Sequence, residues 1–93
     1  FMLTELAGSH KVIGLKQTKK ALHAGAVRRV YLSADADIRL REAVGALCAE
    51  RQVDVVSVES MDELGRACGI QVGAAVAAVL DDTLDFPGAS PRK

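Results

Sequence analysis

Lys16, Gln17 and Lys20, in the stretch GLKQTKKALHAG at residues 14–25, carry the clearest chemistry in the chain. Read as a helix, the segment sets Lys16 and Lys20 four residues apart and Gln17 and Lys20 three apart, so all three project to one side near the helix start. Leu15, Thr18, Leu22 and Gly25 share another face, suited to a core. The first turn of a helix has unpaired backbone N–H groups and a partial positive charge, a natural seat for phosphate. Lysines there oppose the helix dipole and are mildly unfavourable until an anion neutralises them. Gly14 leaves room for another backbone to approach closely. An ordinary solvated cationic face accounts for the same residues without a ligand, and at this point both readings stand.

The charge around this helix is local. Twelve Lys+Arg balance twelve Asp+Glu over 93 residues, so no global basic field draws the chain to polyanions. Yet no acidic residue occurs from Leu6 to Ala34, where Lys11, Lys16, Lys19, Lys20, Arg28 and Arg29 are gathered with His10 and His23 interleaved. The acids sit mostly downstream, and Asp81, Asp82 and Asp85 close the domain. A second unusual stretch is CGIQVGAA, where Ile70 and Val72 stand between Gly69 and Gly73. Apolar residues in a short glycine-flanked loop either plug the core or form a surface that packs on an unstacked base or ribose.

Other chemistries find no support. The chain has no Ser–His–Asp spacing, no HExxH, no CxxC and no Walker-type glycine loop, and it lacks the glycine fingerprint of a dinucleotide fold. His10 and His23 read as solvent-facing. The pairs Asp81–Asp82 and Asp62–Glu63 read as a strand exit and a helix first turn. Cys48 and Cys68 are too few for a disulfide framework or a zinc site and fall at apolar helical positions, as small buried hydrophobes. The expectation is therefore a non-enzyme with no metal and no cofactor. Reduced thiols, no apolar run able to span a bilayer and no signal-peptide pattern fit a cytoplasmic protein without a membrane partner.

The elements that must position these residues alternate. Residues 3–8 read as a short helix with Thr4 as a weak cap, and KVIG as a short strand. The basic helix over 15–24 ends at Gly25, which supplies a left-handed position. VRRVYLS is a strand with Val30 and Leu32 on one face. Asp35 or Asp37 caps the next helix, whose Leu40, Ala43, Val44, Leu47 and Cys48 make the clearest amphipathic stripe, with Arg39, Arg41, Glu42, Glu50 and Arg51 outside. VDVVSV is a strand, and SMDELGRACG opens on a capping box of Ser60 and Glu63 and ends at Gly69. GAAVAAVL is a small-residue strand covered on both faces. The alternation implies an α/β layered sandwich on a small mixed sheet, with one domain over 3–81 and a loose tail over 82–93.

The segments VIGLKQTKKALHAGAVRRVYLSADAD and VESMDELGRACGIQVGAAVAAVL, in that order, resemble the bacterial YbxF branch of the ribosomal-protein superfamily that includes archaeal L-seven-Ae. The resemblance runs from about Lys11 to Leu80. It implies a three-layer α/β/α sandwich on a four-stranded mixed sheet, and binding of RNA kink-turns, which combine a bulge with sheared G·A pairs. It implies further that Gly14 is the motif glycine and that Lys16, Gln17 and Lys20 enter the widened groove, reading guanines and holding phosphates. Ile70, Gln71 and Val72 would form the apolar loop over an extruded nucleotide. Archaeal and eukaryotic relatives commonly carry Asn-Glu where this chain has Lys16-Gln17, a pattern the bacterial branch shares. A neutral amide both donates and accepts, so base discrimination is expected to weaken while phosphate attraction supplies part of the affinity. The expected partner is a kink-turn in ribosomal RNA or messenger RNA, bound by a monomer. The alternatives are a constitutive large-subunit ribosomal protein on the same fold, or a protein-interaction adaptor without RNA binding.

Overall fold

A computed structural model describes residues 5–8 and 10–81. The proposed cap Thr4, the acids Asp82 and Asp85 and the tail 82–93 lie outside the described residues. Within them the chain runs α1 (Glu5–Gly8), β1 (Lys11–Ile13), α2 (Leu15–His23), β2 (Val27–Ser33), α3 (Ile38–Arg51), β3 (Asp54–Val58), α4 (Met61–Cys68) and β4 (Val76–Leu80). The sheet order is β1-β4-β2-β3. Strand β4 pairs antiparallel with β1 and β2, while β2 pairs parallel with β3. A parallel pair needs a long crossover, and α3 provides it. The sheet is mixed and four-stranded, in agreement with the sequence.

The last strand in sequence among the described residues is the most buried. All five residues of β4 are shielded from solvent. Successive side chains of a strand point to opposite faces. Val76, Ala78 and Leu80 accordingly join one core with Val12, Leu22, Val30, Val44 and Cys48, beneath α2 and α3. Ala77 and Val79 join a second with Leu6, Tyr31, Val58, Leu64 and Cys68, beneath α1 and α4. The result is three layers, α/β/α. Both thiols are buried, and burial pushes each above its ordinary range.

Local signals account for the helix ends. Gly25 at φ 70° and Gly69 at φ 80° follow α2 and α4 as the spacing predicted. Both candidate acids are used. Asp37 Oδ1 accepts from Arg39 N–H at 2.8 Å at the start of α3, and Asp35 Oδ1 accepts from Met61 N–H at 2.9 Å, joining two helix entries. The Arg39 N–H, then the Arg39 side chain, hold the Asp37 carboxyl below the usual carboxylate range. That depressed value makes the cap fully effective above the ordinary carboxylate pKa, and its contribution is lost as pH falls through the folded value. Ser60 Oγ accepts from Glu63 N–H at 3.1 Å, so the Ser60 half of the capping box is formed.

Three details depart from the sequence reading. Ala43 is exposed, because it falls at the margin of the arc centred on Val44 and Cys48. Arg41 is half-buried rather than outermost, and donates through Nη1 to the Ala34 carbonyl at 2.6 Å. With Ile38, Ala43, Ala46 and Ala49 exposed, α3 has a partly apolar outer face, and α2 and α4 are the more sharply two-sided helices. Helix α3 ends without glycine, on Gln52 at φ 59°.

A left-handed residue with a side chain carries a penalty of about 1–2 kcal/mol, which glycine escapes at some cost in unfolded-state entropy. Gln52→Gly is therefore expected to raise stability by about 0.5–1 kcal/mol, read as a higher urea midpoint with an unchanged slope.

Candidate nucleic-acid interface

Register alone decides what sits beside what. Ile13 lies opposite Ala77, Leu32 opposite Val76 and Ser33 opposite Val58. The ends of β1, β2 and β3 and the start of β4 are thus at one end of the sheet. The segment at Gly14, the turn at 34–37, the turn at 59–60 and the loop 69–75 all cluster there. The start of α2 follows β1, one strand away from the loop that feeds β4.

Gly14 joins these parts. It precedes α2 at φ 97°, a backbone conformation that favours glycine, and a Cβ built there meets nothing within 4 Å. The glycine is required by backbone shape, and its outer side is open. Its N–H donates to the Val76 carbonyl at 2.9 Å, extending the β1–β4 ladder to the edge of the helix. Thr18 N–H is the first to bond inside α2, to the Gly14 carbonyl at 3.0 Å. The N–H groups of Leu15, Lys16 and Gln17 consequently have no partner within the helix. No side chain caps this end and its first turn has no acid.

The side chains of α2 divide cleanly. Thr18, Ala21 and Leu22 are buried and Leu15 packs against the same core. Lys16, Lys19, Lys20 and His23 are exposed. Gln17 lies between, half-buried, with Oε1 shielded and, among the described residues, without a hydrogen-bond partner. A half-turn of the amide exchanges oxygen for nitrogen, so this side chain can present an acceptor or a donor at the helix entry.

The charge cluster of the sequence does not survive intact. Lys11 is 7% exposed, in β1 opposite Val79, and its charge partly offsets the upward push on the Cys68 thiol. Arg28 and Arg29 belong to the first half of β2, at the end of the sheet away from Gly14, where a register shift separates Val27 from Arg29. Strand pairing, invisible in a count of charges, separates them. His23 is exposed as expected, whereas His10 is half-buried.

The loop after α4 is built rather than loose. Gly69 N–H bonds the Arg66 carbonyl at 3.0 Å and Ile70 N–H bonds the Gly65 carbonyl at 3.1 Å, a Schellman-type ending. In such endings the residue after the glycine packs on the last turn, and Ile70 does so against the Leu64–Cys68 core. The Ala74 N–H then bonds the Met61 carbonyl at 3.0 Å, so the loop folds back along α4. It passes so close to Gly65 that a Cβ there would overlap the Val72 carbonyl. With its backbone turned inward, Val72 stands 71% exposed beside exposed Gln71. The two apolar residues part ways: Ile70 packs against the core, as a plug would, and Val72 is exposed. The apolar residue directly after Gly69 was the signal that would have separated them. Beyond the loop, Ser33 Oγ donates to the Ala74 carbonyl at 2.6 Å and Ser33 N–H to the Ala75 carbonyl at 2.9 Å.

Gly14, Lys16, Gln17, Gln71 and Val72 therefore share one end of the molecule, with Lys20 one turn further along α2 and Ile70 half-buried against the core. The acids at this end, Asp35, Asp37, Glu59, Asp62 and Glu63, belong to turns and a helix following β2 and β3, away from β1. Among the described residues no group of three or more His, Cys, Asp or Glu side chains could hold a metal ion.

Residues 5–84 match the ribosomal protein L7Ae/L30e/S12e/Gadd45 family. An RNA-binding protein of Bacillus pumilus is 46% identical over 69 residues, 74% of this chain and 84% of that protein. The RNA-binding protein YbxF of Geobacillus stearothermophilus is 49% identical over 69 residues, with the same shares covered. Among solved structures, the Giardia lamblia 15.5kD RNA binding protein superposes with a TM-score of 0.77 at 28% identity, over 88% of this chain and 71% of that one.

Two substitutions test the loop. Gly65→Ala should cost about 2 kcal/mol or more, since the obstacle is backbone rather than a flexible side chain. Ile70→Ala should cost about 1–3 kcal/mol and Val72→Ala under about 0.5 kcal/mol, as differences in unfolding free energy.

Proposed function

The chain belongs to the ribosomal protein L7Ae/L30e/S12e/Gadd45 family, and from that footing we propose that it binds RNA, taking kink-turns as its preferred target. The names of the bacterial relatives and of the Giardia protein support RNA as the ligand class. The observation that carries the finer reading is the hydrogen bond from Gly14 N–H to the Val76 carbonyl. Through it, a cationic helix entry and an apolar loop tip are held in one rigid frame, two unlike surfaces at a set spacing. A straight duplex offers phosphates alone, and its A-form major groove is too narrow for side chains. A sharp bend widens that groove and turns a base outward, giving each surface something to meet.

In this reading the N–H groups of Leu15, Lys16 and Gln17 face phosphate or base edges at the positive end of α2. Lys16 and Lys20 neutralise flanking phosphates, and Gln17 reads a guanine edge with its amide. Gln71 and Val72 cover the extruded nucleotide, with Ile70 holding the loop from below. Preference for bent RNA then comes mostly from shape, which is indirect readout. The neutral amide of Gln17 shifts the balance toward phosphate contacts. The same surface would serve a permanent constituent of the large ribosomal subunit, a reading favoured by the family's description. Sedimentation with ribosomes through a sucrose gradient at moderate salt separates that role from a free cytoplasmic factor.

A gel shift comparing a kink-turn with the same RNA stripped of its G·A pairs tests the proposal, and equal affinity for both defeats it. Lys16→Glu with Lys20→Glu should abolish binding in a protein that still melts cooperatively. Each neutralised phosphate contributes roughly 0.7–0.9 to the slope of log affinity against log salt, so Lys20→Ala should flatten that slope by about one contact. Val72→Ala should weaken binding to the kink-turn while leaving the salt slope unchanged.

A further inference from the structure

Lys19 and His23 have no task at the kink itself, yet they complete a continuous surface. At 100° per residue, Lys16, Lys19, Lys20 and His23 occupy one arc of α2, opposite the buried Thr18, Ala21 and Leu22. All four are exposed, and among the described residues none of the three lysines forms an ion pair. Where α2 ends, α3 continues the arc. Arg51 lies in its last turn and places Nη2 3.4 Å from His23 Nδ1. Glu50 lies about 100° round α3 from Arg51, and Asp54 begins β3 opposite Arg29.

Part of this charge suits the helices without any ligand, since cations near a C-terminus complement the dipole. That explains Arg51. It does not explain Lys16 in the first turn, where the dipole opposes it, or Lys19 at the middle of the helix. The arc from Lys16 to His23 spans about 10 Å at 1.5 Å per residue. In duplex DNA a strand presents a phosphate roughly every 3.4 Å along the axis, and successive phosphates lie further apart along the winding backbone, so this length can meet more than one.

We propose that the outer face of α2, continued by Arg51 of α3, is a track for the phosphates of one helical arm of the RNA, beyond the kink. The inference rests on the RNA-binding reading above and enlarges it. The helix entry and loop tip recognise the bend. The track then grips the duplex leaving it, selecting RNAs whose arm on that side is long enough to reach Arg51.

The test uses the full chain with three RNAs: a kink-turn with two long arms, and two versions each trimmed to a short stub on one side. Affinities are measured by fluorescence anisotropy across a potassium chloride series for the wild type, Arg51→Ala and Lys19→Ala. Each variant should weaken binding to the long-armed RNA about 3- to 10-fold and reduce the salt slope by about one contact. Both should lose their effect on the same trimmed RNA and keep it on the other, with melting temperatures unchanged. Equal effects on all three RNAs, sensitivity to different arms, or no effect would overturn the track. Tight wild-type binding with neutral variants removes the track alone. Failure of the wild type to prefer any kink-turn removes the function proposed above together with it.

Discussion

Burial of β4 on both faces is the constraint from which the rest follows. A strand enclosed by helices above and below, and by β1 and β2 at its sides, has no solvent-facing position. Its two alanines keep it narrow enough for two helical layers to close on the sheet, while Val76, Val79 and Leu80 fill the cores. Because the antiparallel partners of β4 are β1 and β2, its first residue necessarily lies beside their last ones. The loop that delivers the chain into β4 is thereby pinned next to the entry of α2. The proposed interface is a consequence of how the core closes.

The second organising fact is that a neutral chain has separated its charges by fold. Four of the five acids near the end of the sheet occupied by Gly14 serve as caps or in a helix first turn: Asp35 and Asp37 hold helix entries, and Asp62 and Glu63 sit where a helix dipole welcomes them. The lysines of α2 have no such structural use. They face outward from a helix whose start lacks both cap and acid. This asymmetry, acids with internal tasks and cations without them, supports an anionic ligand better than any count of charges does.

Rigidity at the loop comes from small details. Gly65 permits the Val72 carbonyl to lie on α4, Ile70 anchors the helix ending in the core, and Ala74 is tied at once to Met61 and to Ser33. Val72 can remain exposed because its backbone is already committed. A surface held in this way loses little freedom on binding, which suits recognition of a shape that the ligand alone must adopt.

Much of this was legible in the residues. Helix ends at Gly25 and Gly69, caps at Asp37 and Ser60, the two-sided α2 and the doubly covered β4 all rest on local rules that a neighbour in space does not alter. Lys16, Gln17 and Lys20 stood out because spacing within one helix determines a face. Tertiary structure alone decided the fates of Lys11, Arg28 and Arg29, since pairing placed one inside and two at the far end of the sheet. It alone decided that Ile70 is core and Val72 is surface, and that the loop meets the helix entry through Gly14 and Val76. It also set Arg51 against His23, 28 residues apart in the chain. The division has a physical reason. Periodicity and capping act over a few residues and are written in order, whereas sheet register and packing between layers join segments whose separation in sequence says nothing of their distance.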